Sequence, residues 1–570
     1  MSTPTATAQP GRAPGGADPR RWVGLAVVLT AGFMQLVDIS IVNVAIPSIQ
    51  RDLDATYSQV QWVLAGYQLA FAVMLITGGR LGDIFGRKRL FMVGMAGFTL
   101  ASALCGLAQS PGMLIGSRVL QGLMGAIMFP QILSVIQVTF PPRERGAAFG
   151  LFGATIGLAT ITGPLVGGLL IEGDLLGLGW RPIFLVNVPI GVAALTAAAL
   201  YLVESRAPRA LRPDPVGVGI VTAGLLLLVF PLVQGRELDW PLWTFLSMAA
   251  SVPVLAVFAA YERRKKAADG SPLIDLDLFR HRPFVGGLAV SGIFFMGIPA
   301  FFLTFSLWLQ IGLGFTALHA GLTGAPFAVG SALASAASVR LAPQLGRRIL
   351  SAGALLLVAG MVALIWTVDR YGGAVHSWQL LPALFVCGLG LGSVVAPLVN
   401  VVLAGIRGQD AGAASGVLST VQQVGGAVGV ALIGVVFFGL LGSQAAGVAA
   451  DLSPRLRTEL QTTAGLPPAA TRQVAAGFQT CFEDRANAKD PSAVPASCAQ
   501  AQAQGQGQER VGQVVGATAD VGRRQNFSEA FERTLLFEVA VFGACFLLVF
   551  LLPSARGGTR EQAAEAPAPI

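Results

Sequence analysis

Long apolar runs, cut by short clusters of charge, glycine and proline, repeat along the chain from residue 22 to residue 553. A helix that crosses a bilayer needs about 20 predominantly apolar residues. Runs of about that length lie at 22–47, 58–79, 90–108, 112–138, 147–171, 182–203, 216–233, 241–261, 284–311, 319–342, 349–368, 378–405, 412–442 and 531–553. The pattern predicts fourteen transmembrane helices in an all-α polytopic membrane protein. An even number of crossings places both termini on one side. With the N-terminus inside, the inner segments hold twenty-four lysines and arginines, and the short outer loops hold only Arg51, Arg181, Arg236 and Arg370. By the positive-inside rule both termini are expected in the cytoplasm, in a multi-pass protein of the cell membrane.

Between the second and third runs lies Gly79-Arg80-Leu81-Gly82-Asp83-Ile84-Phe85-Gly86-Arg87-Lys88-Arg89-Leu90. Four cations, one acid and three glycines are too much charge for a bilayer interior, so the stretch reads as a short tight turn at the cytoplasmic surface. Arg340 to Leu350 echoes Arg80 to Leu90 at a fixed offset of 260, keeping Arg, Leu, Gly, Arg and Leu in register and placing Pro343 opposite Asp83. A repeated turn implies a repeated half. The organisation expected is a tail at 1–21, a six-helix bundle at 22–203, an inserted hairpin with its linker at 204–283, a second six-helix bundle at 284–553 and a tail at 554–570. The second bundle contains a long outer loop, 443–530, rich in Ala, Gln and Gly and low in complexity around Gln500 to Gln508. So few large apolar residues predict partial disorder or short surface helices there. Cys481 and Cys498 fall in this loop on the oxidising side, where a disulfide and two free thiols are both open readings.

Composition agrees with this picture and removes other classes. The chain is 54% hydrophobic and 12% charged, with a mean hydropathy of +0.68, whereas soluble domains carry about 25% charged residues. The net charge of +8 sits beside apolar runs, so it reflects topology and gives no reason to expect nucleic acid as a partner. The first apolar run is too long for the core of a cleavable signal. Three histidines, at 281, 319 and 376, with no HExxH pattern, give no metal centre. The absence of a GxxxxGK[S/T] loop argues against a self-contained ATP-driven pump and against a nucleotide cofactor.

Ionisable residues inside spans are the candidates for chemistry. Asp38 lies about two-thirds of the way along the first span from the inner end, and Gln35 shares its face three residues earlier. A buried carboxyl of this kind can bind and release a proton during transport; a static ion pair is the alternative. Arg118 in the fourth span is its natural partner at a comparable depth, and Arg118, Gln121, Gly122 and Gly125 share one face. Glu538, in the last span near its outer end, reads as reaching the membrane interface. Ser415, Ser419, Gln422 and Gly426 line one face of the thirteenth span and could touch a polar substrate or bond another helix. Phe294, Phe301, Phe302, Phe305 and Trp308 form a stripe on the ninth, either an aromatic wall for flat cations or ordinary packing.

Several of these stretches carry a resemblance. Gly79 to Leu90 resembles the cytoplasmic signature between helices 2 and 3 of the major facilitator superfamily (MFS). Leu36 to Pro47, Trp62 to Leu69, Arg118 to Gly122 and Trp180 to Gly191 resemble motifs of its fourteen-helix drug:proton antiporters; Pro182 departs from the aromatic residue usual at its position. Gly153, Gly157, Gly163, Pro164, Gly167 and Gly168 resemble the helix 5 antiporter signature, with Gly157, Gly163, Pro164 and Gly167 as the matching positions. The resemblance implies the MFS fold, two six-helix bundles plus two extra helices. It implies proton coupling through Asp38 and Arg118, and gating through Gly79, Gly82, Asp83, Gly86 and Arg87, with Asp83 as a latch between bundles. It also implies a monomer among membrane lipids that is driven by the proton gradient without a cofactor and exports lipophilic, often cationic drugs or antibiotics. A dedicated exporter of one secondary metabolite is the alternative, and an importer or a transporter-derived receptor stands behind it. Gln35, Gln121, Gln422, Phe301 and Phe305 are the substrate-contact candidates.

Overall fold

The computed structural model describes residues 20–552 apart from 56, 175–176, 207–213, 236–237, 239, 404–405, 407–409, 489–494 and 500–508. The expected tails at 1–21 and 554–570 lie almost wholly outside the described residues, as do the low-complexity segment at 500–508 and the side chain of Pro164. Apolar runs become helices because a chain in hydrocarbon must satisfy its backbone internally. The first five are α1 (Arg20–Leu53), α2 (Tyr57–Phe85), α3 (Arg87–Gly106), α4 (Pro111–Thr139) and α5 (Pro142–Glu172). A single turn, Pro182–Leu185, leads into α6 (Asn187–Tyr201); α7 (Pro215–Gln234) and α8 (Leu242–Asp269) form the hairpin between the two halves. The second half holds α9 (Arg282–Leu307), α10 (Ala317–Leu345), α11 (Arg347–Tyr371), α12 (Ser377–Leu403), α13 (Ala411–Thr462), α14 (Pro468–Asn487) and α15 (Glu509–Leu548).

Local chemistry sets several starts. Pro111 follows an N-cap Ser110 that accepts from the Met113 amide, and Pro215 follows Asp214, which accepts from the Gly217 amide. Against fourteen expected spans, thirteen helical segments among the described residues are long and apolar enough to cross a membrane. The expected span outside that number is the fifth, which α5 covers with 31 residues, packed against α1 and α10.

Helix packing repeats between the halves. In the first, α1 packs on α5, α2 on α4, α3 on α4 and α1 on α6; in the second, α9 packs on α13, α10 on α12, α11 on α12 and α9 on α15. The halves meet along α5 with α10 and α12, and along α2 with α13. The α7–α8 hairpin leans on α2.

The charged stretch differs from the expected turn. Helix α2 runs on through Phe85 and α3 begins at Arg87, so Gly86, at φ 110°, is the one residue between them. Its counterpart Gly346, at φ 52°, separates α10 from α11 in the same way. These positions need glycine because a side chain strains that backbone region. Nor do all the charges lie on the surface: Arg80, Asp83 and Arg87 are buried, while Lys88 is half-buried and Arg89 exposed. The chain after α6 covers them, with Glu204 accepting from the amides of Lys88 and Arg89 and Ser205 O from the Arg87 amide. The linker after α8 adds Pro272 O, which accepts from Arg80 Nη2 at 2.7 Å.

The loop at 443–530 departs furthest from expectation. Helix α13 has 52 residues and continues to Thr462, while α15 starts at Glu509, well before the expected span at 531. With α14 they form a helical cap at the end opposite Gly86. Its small core joins Ala449, Leu456 and Leu460 to Ala475 and Phe478 and to Val511 and Val514. Two of these helices are already ordered by their spans, so a modest apolar stripe is enough to hold a third against them. Cys481 and Cys498 are joined in a disulfide across a separation of 17 residues. Cys481→Ser is expected to destabilise the cap by about 3 kcal/mol, the loop-closure value for a loop of this size. Hydrogen exchange should then rise within the cap while protection of the spans is unchanged; unchanged exchange in the cap would mean that the bond adds nothing.

Candidate functional site

Side chains of four helices, α1, α3, α4 and α6, meet around Asp38. On α1 its carboxyl is fully buried, with Oδ2 accepting from Arg118 Nη1 of α4 at 2.6 Å. Oδ1 accepts from Gln121 Nε2 of α4 at 2.9 Å and from Asn187 Nδ2 of α6 at 2.8 Å. Ser102 Oγ of α3 ties both amides together, accepting from Gln121 at 2.6 Å and from Asn187 at 3.3 Å. The fourth-span face joining Arg118 to Gln121 is thus as the helical spacing predicts.

Arg118 is held independently of the acid. Its Nε donates to Val63 O of α2 at 3.1 Å, its Nη1 donates to Gln121 Oε1 at 2.6 Å, and its guanidinium lies 4.2 Å from the Tyr67 ring centre. An arginine with that many other contacts stays in place when the carboxyl is neutralised. The Asp38 carboxyl thus ties α1 to α4 and α6 at one point.

Gln35 lies buried on the same helix, and neither its amide oxygen nor its nitrogen has a hydrogen-bond partner among the described residues. An orphaned amide is costly in a membrane interior. That makes Gln35 and Gln121 the polar substrate-contact candidates nearest the acid, although Gln121 is already bonded. Gln422 on α13 is half-buried in the other half. Phe301 and Phe305 are buried, stacked on each other at 5.4 Å and packed towards Phe327 of α10 and Phe531 of α15. A substrate would reach them only by parting those helices.

Of the expected antiporter positions, Gly157 faces the other half and Gly163 faces α1 of its own half. A side chain at Gly157 would run into Ser331 of α10, and one at Gly163 would overlap Ser40 of α1. Gly167 is buried further along the same helix. With those glycines α5 forms a thin wedge that touches α1 on one side and α10 on the other.

At the Gly86 end the halves are locked. Asp83 Oδ1 accepts from the Gly412 amide at 3.1 Å and from Arg87 Nη2 at 2.6 Å, while Oδ2 accepts from the Ala413 amide at 3.0 Å. The carboxylate thus takes up free N–H groups in the first turn of α13, where the helix dipole favours an anion. Close approach there needs glycine: a Cβ on Gly79 would meet Gly412 O, and one on Gly82 would meet Gln131. Ser134 with Ser415 at 2.9 Å and Gln137 Nε2 to Leu403 O at 2.8 Å close the same end.

Sequence reading missed Ser102, Tyr67 and Asn187 as members of the centre. Asn187 carries a signal, being the lone amide in the run 182–203; a serine or tyrosine in a span carries none that singles it out. It also misplaced Glu538, which is buried in the bundle and not at the membrane interface.

Comparison with known proteins agrees with this architecture. The chain is 44% identical over 541 residues to a probable actinorhodin transporter of Streptomyces coelicolor, covering 94% of this chain and 92% of that protein. It is 39% identical to a puromycin resistance protein of Streptomyces alboniger, covering 74% of this chain and 83% of that protein. Against a tetracenomycin C resistance and export protein of Streptomyces glaucescens it is 35% identical, covering 74% and 77%. Among solved structures, the human organic anion transporter MFSD10 superposes with a TM-score of 0.53 at 15% identity, over 73% of this chain and 94% of that one. The family model described as Major Facilitator Superfamily matches residues 28–430, and the chain belongs to that superfamily.

Proposed function

We propose that the protein exports an antibiotic-type lipophilic small molecule across the cytoplasmic membrane in exchange for protons, by alternating access between its two halves. The observation that supports this reading is the buried Asp38–Arg118 pair, in which the arginine has other partners besides the acid. Protonation of Asp38 from outside and substrate binding from inside would favour opposite states of the cycle. One proton crossing 100 mV supplies about 2.3 kcal/mol, which sustains roughly a fifty-fold substrate gradient. In this reading both termini are cytoplasmic, the protein works as a monomer surrounded by lipid, and the gradient replaces any cofactor.

The efflux direction is supported by the antibiotic export and resistance proteins among the relatives and by the glycine wedge of α5. A narrower reading, export of a single self-made antibiotic, is favoured by the likeness to the actinorhodin transporter, which covers 94% of the chain, against 74% for the two resistance proteins. Transport of an antibiotic panel into inverted vesicles decides between these. Uptake of several unrelated compounds, lost on adding an uncoupler, supports a multidrug exporter. Uncoupler-sensitive uptake of one chemical class supports the narrower reading, and uptake indifferent to the uncoupler overturns proton coupling.

A further inference from the structure

Glu538 is a second buried acid that the centre around Asp38 does not use. It lies on α15, fully buried, and neither carboxyl oxygen has a hydrogen-bond partner among the described residues. Among the described residues no cation forms an ion pair with it. Charged residues on the helices packed against it stand at their ends: Arg282 on α9, Arg347, Arg348, Asp369 and Arg370 on α11, and on α13 none before Asp451. On α15 itself the nearest are Glu532 and Arg533, more than a turn away.

Its position is not arbitrary. The offset of 260 that relates the two halves carries Asp38 of α1 to Ile298 of α9, and Glu538 Oε2 lies against the adjacent Gly297. In the first half, the sixth helix supplies an amide, Asn187, to the acid on the first helix. In the second half the sixth helix, α15, supplies the acid itself, and the facing helix makes room with glycine. A Cβ on Gly297 would sit 2.9 Å from Glu538 Oε2 and 2.6 Å from Phe542 Cζ. Phe294 closes the site from α9, edge-on to Phe542 at 6.1 Å.

We propose that Glu538 is a second proton-binding carboxyl of the transport cycle, standing in the second half where Asp38 stands in the first. A carboxylate buried without a cation or a donor must have its charge cancelled. The proton is the one cation that needs no volume and no ligand shell, and the contacts around Gly297 leave no room for a metal ion or a substrate ammonium. Glu538 carries its proton in this packed arrangement and releases it when α9 and α15 separate. The proposal rests on the reading of proton-driven export and adds a second coupled charge to it.

Infrared spectroscopy of the purified protein in lipid tests it without a substrate. The wild type at neutral pH should show a protonated-carboxyl C=O band that loses intensity in Glu538→Gln and keeps it in Asp38→Asn; a band unchanged in Glu538→Gln overturns the proposal. In proteoliposomes loaded to export ethidium, Glu538→Gln should sustain a gradient about fifty-fold smaller per 100 mV, because one proton fewer is exchanged. An unchanged gradient overturns the second site while leaving proton-driven export standing. A wild type indifferent to the proton gradient would instead remove that export reading. Should the glutamine variant fail to insert, carbodiimide labelling of the wild type, mapped by mass spectrometry, decides: modification at Glu538 supports the site, and modification of other carboxyls without Glu538 overturns it.

Discussion

Asp38→Asn is expected to reduce net efflux to the level of membranes without the protein, while the amount inserted stays normal. Asparagine preserves the volume of the side chain and can still accept from Gln121 or Asn187, but it holds no exchangeable proton. The site would be fixed in a neutral form. Breaking a buried pair usually costs about 3–5 kcal/mol because a charge is left unpaired. Here the cost falls well below that, since Arg118 keeps Val63 O, Gln121 Oε1 and the Tyr67 ring. Folding is therefore spared and coupling is not. Efflux of a fluorescent dye from energised cells, normalised to membrane protein level, gives the first number, and substrate-for-substrate exchange in vesicles gives the second. Exchange that survives while net efflux is lost assigns Asp38 to coupling. Undiminished net efflux would take it out of the mechanism.

How much of this was legible in the sequence depends on the type of residue. Spans follow from apolar length, and a charge inside a span stands out because hydrocarbon tolerates so few, so Asp38 and Arg118 are readable as a pair. Glycine at 86 and 346 is readable through the repeat. The extent of helix outside the membrane is not, because its cue is propensity and a thin apolar stripe. Residues 443–462 and 509–530 look too poor in large side chains to pack, yet they continue helices that the membrane has already nucleated. Depth was the other weak point. Glu538 lies near the outer end of its apolar run, but α15 extends far beyond that run into the cap, so distance from the end of hydropathy misjudged its surroundings. The same limit explains Asp83: sequence gives a conspicuous charge beside a turn, and only the packing of α2 against α13 shows which backbone groups it binds.

Asp83→Asn is expected to unlock the Gly86 end of the molecule. The native carboxylate gathers two amides from α13 and the Arg87 guanidinium. Asparagine has one accepting oxygen, so part of this set is lost, and its NH2 group faces donors. Arg87, 1% exposed, loses its ionised partner. One of the two bonds to α13 is lost whichever oxygen is replaced, and these bonds join the halves only while this end is closed. Loss of that bond raises the energy of the closed state relative to the open one, and the equilibrium moves towards opening. Charge-assisted bonds contribute about 1.5–3 kcal/mol each, so losing one shifts the balance by at least roughly ten-fold. A cysteine replacing Gln137, whose amide bonds Leu403 O across the same closure, reports the change. Its reaction with an impermeant maleimide, applied from the Gly86 side, should accelerate about ten-fold in the Asp83→Asn background. Background labelling is low because Cys105, Cys387 and Cys545 are buried. Net efflux should fall at the same time, since a transporter held open at one end completes fewer cycles. Unchanged labelling would confine Asp83 to holding Arg87 within its own half. Faster labelling with protein level preserved makes it the latch between halves.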